Sequence, residues 1–130
     1  MSAVLVAIGG AAGALLRYWL SGVAQRSAPA DGNWALFPVG TLTVNVLGCL
    51  VVGALAEAGE RRGLLTAEVR ALLVVGFLGG FTTFSAFAND TVAVWRTGAT
   101  VVSLANVALS VVLCVGAVMA GRGLVAALVK

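Results

Sequence analysis

The chain has 130 residues, 61% of them hydrophobic and 10% charged, where a soluble globular domain has roughly 45–50% and about 25%. That balance, with a mean hydropathy of +1.08, excludes an ordinary soluble fold and leaves room for a single membrane domain, since each crossing takes about 20 apolar residues. The net charge of +3 comes from eight basic and five acidic residues, but the basic ones are scattered and form no stripe interleaved with aromatics, which argues against nucleic acid as a partner.

The first apolar run, residues 2–24, lacks the charged start and cleavage pattern of a secretory signal and is too long for a signal core, so it reads as a membrane span. Gln25 to Trp34 is polar, with Pro29, Asp31, Gly32 and Asn33, and predicts a loop. The second span is predicted over residues 36–56, followed by a charged loop from Glu57 to Gly63. The third run, residues 67–95, is too long and too interrupted for one plain span. At its middle, Gly79-Gly80-Phe81-Thr82-Thr83-Phe84-Ser85 combines paired glycine with β-branched threonine, both poor helix formers, and predicts a break near residues 79–83. The fourth span is predicted over residues 100–120, with a short amphipathic tail ending at Lys130. The expected fold is an all-α integral membrane bundle of four transmembrane helices with a broken third helix.

A break at bilayer depth frees backbone groups that lipid cannot satisfy, so it implies carbonyls that hold a cation or amides that face an anion. The competing explanation is a glycine patch for a neighbouring helix. Gly9 and Gly13, like Gly76 and Gly80, have the small-xxx-small spacing of closely packed membrane helices.

Polar side chains within the spans need partners or tasks. Arg17 either snorkels to an interface or lines a watery vestibule that concentrates anions. Asn45 either ties two helices together or contacts a permeating species. Thr82, Thr83, Ser85, Ser103, Asn106 and Ser110 either bond back to their own helices or donate into a pathway, with Asn106 and Ser110 on one helix face. Phe84 and Phe87 either pack or present positive ring edges. Nearly all of these polar groups are hydrogen-bond donors, and Asp90, the one acid in the stretch after the glycine pair, sits at the edge of its span. The inventory therefore favours an anion over a cation. With no histidine, no paired carboxylates and no cysteine beside a base, no catalytic constellation is present. Cys49 and Cys114 read as small, buried, reduced thiols.

Counting basic residues by side places Arg61, Arg62, Arg70, Arg122 and Lys130 with the chain ends, and Arg26 and Arg96 opposite. The positive-inside rule then puts both ends in the cytoplasm. That bias hints at one fixed orientation in the membrane.

The segment Gly76-Phe-Leu-Gly79-Gly80-Phe-Thr82-Thr83-Phe84-Ser85-Ala-Phe87 resembles the Fluc/CrcB fluoride channel family. So do Gly9-Gly10-Ala-Ala-Gly13-Ala14-Leu-Leu-Arg17-Tyr18 and Phe37-Pro38-Val-Gly40-Thr41-Leu-Thr-Val-Asn45-Val-Leu-Gly48. The resemblance implies an antiparallel dimer, homodimeric or formed with a paralogue, in the plasma membrane, with two pores passing fluoride passively out of the cell. It implies a structural sodium ion at the dimer centre, held by the backbone carbonyls of Gly79 and Thr82. It implies a fluoride pathway of Asn45, Thr83, Phe84, Ser85, Phe87, Asn106 and Ser110, with Arg17 in the vestibule. Two positions depart from the family pattern: Asn106 stands where a tyrosine is usual, and Asp90 where a glutamate is common. On this reading Asn45→Asp or Phe84→Ile stops fluoride efflux and leaves the fold intact. The alternative is a small multidrug-type, proton-coupled exporter, a class that relies on a glutamate in its first helix, where this chain has no acid.

Overall fold

The computed structural model describes residues 2–63 and 65–128. Lys130, counted above in the charge bias, lies outside them, as does the side chain of Arg62. Helix α1 runs Ser2–Gln25, a 3-10 turn covers Asn33–Leu36, and α2 runs Val39–Arg62. The third segment forms α3 over residues 67–81 and α4 over Phe84–Arg96, and α5 closes the chain at Thr100–Leu128. Four helical stretches among the described residues are long and apolar enough to cross a membrane, counting α3 and α4 as one.

Several boundaries differ from those the sequence predicts, each for a local reason. α2 starts at Val39 rather than residue 36 because Phe37, preceding Pro38, is held extended at φ −68°, ψ 127°. The charged stretch predicted as a loop continues α2 to Arg62, where Glu57 pairs with Arg61 one turn on. Gly63 then ends the helix in the left-handed conformation, its amide bonding the Gly59 carbonyl at 3.0 Å. α5 does not stop at residue 120. Gly121 packs directly on the backbone of Leu50 and Ala54 in α2, and Arg122 reaches Glu57 and Glu60 at 3.0 and 2.9 Å. Both contacts hold the helix together beyond the predicted end.

The two glycine pairs face one another. A Cβ on Gly9 or Gly13 would strike the backbone of Leu72 or Phe77 in α3, and one on Gly80 would strike that of Gly10 in α1. This contact brings α1 and α3 to backbone distance, as small residues permit in membranes. Within α3, Arg70–Leu78 is wound as a π-helix, a form that is rare beyond single turns and is often associated with function. Gly79 and Gly80 are themselves helical, so the break lies beyond them, at Thr82 and Thr83. Gly80 serves packing on α1, and the break has a separate cause, described below.

The small buried core, Phe37, Val94, Ala99 and Val102, lies at the α4–α5 end of the bundle. Large apolar side chains elsewhere, among them Leu15, Trp19, Val101 and Leu128, are exposed, as expected where lipid or another subunit replaces water.

Candidate functional site

Thr82 and Thr83 are extended (φ −86°, ψ 156° and φ −152°, ψ 114°) between two helices. Helix continuity would require the Thr83 amide to close on the Gly79 carbonyl. That amide donates instead to Oδ1 of Asn45 at 2.8 Å, while Nδ2 of Asn45 donates to the Thr83 carbonyl at 3.1 Å. One side chain of α2 thus brackets the Thr83 peptide groups with a donor and an acceptor. α4 restarts with its own cap, the Ala86 amide donating to Thr83 Oγ1 at 3.1 Å. Gly48, one turn beyond Asn45, admits the break to α2, since any Cβ there would meet the Thr82 methyl and the Phe81 ring.

The carbonyls left over by this arrangement are the chemically informative ones. The Gly80 carbonyl accepts from Arg17 Nε at 3.1 Å. The amides expected for Gly79 and Thr82 are taken by Asn45 and by Thr83 Oγ1. Among the described residues this leaves the Gly79 and Thr82 carbonyls as free oxygen acceptors, the donor type that hard cations take. No three His, Cys, Asp or Glu side chains cluster as a metal site among the described residues, so a cation at the break would be held by backbone oxygen.

Beside the break lies a cavity of about 490 Å³, lined by Asn45, Gly79, Thr82, Thr83, Phe84, Phe87 and Ser110 with valine walls from α2, α3 and α5. Asn45 has two amide hydrogens, and the Thr83 carbonyl engages one. Phe84 and Phe87 stand with ring centroids 5.4 Å apart, tilted by 49°. Phe84 is 79% exposed on the single chain, so the cavity has protein on one side and an open face on the other.

Three expected site residues lie apart from this lining. Arg17, half-buried, donates through Nε to the Gly80 carbonyl at 3.1 Å. Ser85 is exposed, its hydroxyl 3.2 Å from that of Thr83. Asn106 is only 1% exposed and donates to Thr91 Oγ1 at 2.8 Å. It belongs to a buried polar column connected to the cavity: Ser110 donates to Asn106 Oδ1 at 3.4 Å, Thr91 donates to the Phe87 carbonyl at 2.7 Å, and Ser103 donates to the Thr91 carbonyl at 2.9 Å. At the far end Thr41 donates to Asp90 at 2.6 Å.

Sequence reasoning overlooked Thr91 as the hub of this column, and Cys49 and Cys114 as part of the cavity wall. A signal was present. Thr41, Asn45 and Cys49 recur every fourth residue in α2, as do Asn106, Ser110 and Cys114 in α5, which places each set on one helix face.

Residues 4–122 match the family described as CrcB-like protein, Camphor Resistance (CrcB). A Rhizobium etli protein named fluoride-specific ion channel FluC is 44% identical over 135 residues, covering 99% of each chain. Proteins of the same name from Rhizobium leguminosarum bv. trifolii and Paracoccus denitrificans are 45% identical over 98% of each chain and 46% identical over 93% and 94%.

Proposed function

This chain belongs to the CrcB-like family, and we propose from that premise that it is a subunit of a membrane channel that lets fluoride leave the cytoplasm passively. The observation that carries the reading is the Asn45 bracket on Thr83, which holds the helix break open against a cavity lined by both phenylalanines and Ser110. Near-full-length relatives that carry a fluoride channel's name supply the ion.

The chemistry follows from the ion. Fluoride holds its water tightly, so a pore must return donors as water leaves, yet bind weakly enough to release. The free amide hydrogen of Asn45 and the hydroxyl of Thr83 supply donors, the one hydroxyl hydrogen of Ser110 being held by Asn106 and released to the path only when that long bond gives way, and the positive edges of Phe84 and Phe87 cover the apolar stretch between them. Asn106 acts one step back: it accepts from Ser110 and so sets the direction in which that hydroxyl points.

The open face at Phe84 and the free Gly79 and Thr82 carbonyls support assembly with a second subunit, an identical copy or a paralogue. Two such breaks meeting would present two carbonyl pairs to one sodium ion, which would neutralise their dipoles and pin the subunits together. Passive export fits the absence of an acid in α1, where a proton-coupled exporter would need one.

The test is fluoride efflux, followed with a fluoride electrode, from liposomes containing the purified chain, beside a Phe84→Ile variant. Rapid loss of fluoride that vanishes in the variant supports the reading. Efflux indistinguishable from protein-free liposomes, or equal in both proteins, refutes it.

A further inference from the structure

α2 and α5 run parallel in close contact, Glu57 meeting Arg122 near one end and Gly53 lying on the backbone of Val118 one turn earlier. A turn before that come Cys49 and Cys114, and a turn further on, Asn45 and Ser110. All four of these last residues line the cavity. The two thiols are unbridged and close enough to interact with one another. They therefore stand side by side in a cavity wall, one helical turn from two of the polar groups assigned to the anion path.

The geometry points to a dithiol site at Cys49 and Cys114 for neutral trivalent arsenic compounds, such as arsenous acid or an aryl arsenic oxide, whose binding closes the fluoride path. The ligand class follows from the surroundings. A soft metal cation would need two thiolates, and valine walls disfavour that charge. Both arsenicals carry the protons away with their own oxygen: two As–S bonds form and two S–H bonds break, while an aryl arsenic oxide loses its one As–O linkage as one water and arsenous acid loses two hydroxyls as two waters. Arsenic stays trivalent, so neither oxidant nor reductant is required. The space suffices, since a cavity of roughly 150 Å³ already holds benzene and this one measures about 490 Å³. A bridged arsenical would stand in the cavity beside Asn45 and tie α2 to α5. The binding claim stands on the thiol geometry, and the closing claim rests on the channel reading above.

The experiment treats the purified full chain in detergent with phenylarsine oxide. Intact mass is expected to rise by one arsenical less one water, and both cysteines to resist alkylation by N-ethylmaleimide. Cys49→Ala and Cys114→Ala are each expected to lose the adduct on washing. Unprotected thiols in the treated native chain, or adducts that survive equally in the single variants, overturn the site. In liposomes the arsenical is expected to slow fluoride efflux at least tenfold, with recovery on adding a small dithiol, and Cys49→Ala is expected to give the same efflux with and without it. A bound arsenical with undiminished efflux overturns the closing claim. Absence of efflux before treatment would count against the channel reading, and the alkylation result would still decide the site.

Discussion

Replacing Asn45 with alanine removes a donor and an acceptor from the same half-buried peptide unit. The Thr83 amide loses its 2.8 Å bond and the Thr83 carbonyl loses its 3.1 Å bond. Each backbone group left unpaired at this depth costs about 1–3 kcal/mol, so the change amounts to roughly 2–6 kcal/mol, with the lower half favoured because a carbonyl has a second lone pair. Phe84→Ile is the contrasting perturbation. The side chain is 79% exposed and its aromatic neighbour is Phe87, so the loss is limited to an aromatic pair of about 0.5–1.5 kcal/mol. Asn45→Ala should therefore melt well below the native chain in detergent and conduct no fluoride, while Phe84→Ile should melt near the native chain and still conduct none. By the same reasoning Asn45→Asp should also melt below the native chain, because a carboxylate would turn an oxygen toward the Thr83 carbonyl. Native thermal stability in Asn45→Ala, or an equal stability loss in both variants, would refute this account of the break.

Gly13→Val should prevent α1 from seating on Phe77, an overpacking that typically costs about 1–3 kcal/mol, and should be seen as aggregated material in size-exclusion chromatography. Asn106→Leu should destabilise the chain by about 1–3 kcal/mol through the unpaired partners it leaves. Because it reaches the path only through Ser110, thermal melts should register it more strongly than fluoride efflux does. Exchanging sodium for a large organic cation should lower the melting point of the assembled protein. An unchanged melting point would argue against a cation at the Gly79 and Thr82 carbonyls.

The four crossings were legible because long apolar runs leave little alternative in a chain this poor in charge. Their ends were less so, since partners distant in sequence decide them. Charge alone marked Glu57 to Gly63 as a loop, and only the approach of Arg122 from α5 shows why the helix persists. The glycine pair announced an irregularity a turn early: both glycines are helical, Gly80 is there for its close approach to Gly10 in α1, and Asn45, 38 residues away, sets the break. The π-wound stretch Arg70–Leu78 has no compositional signature, being a change in hydrogen-bond partner within an ordinary apolar run. Among site residues, donor chemistry and spacing pointed to Asn45, Thr83 and Ser110. Neither could show that Thr91 holds Asn106 inside the bundle, or that Arg17 is committed to a backbone carbonyl.

The most direct measurement is the reversal potential of current through planar bilayers containing the purified chain, with opposed fluoride and chloride gradients and a proton gradient imposed in turn. Reversal at the fluoride equilibrium potential, unmoved by the proton gradient, is the predicted result. Reversal that follows chloride or protons would contradict a passive fluoride path through the cavity beside Asn45 and Phe84.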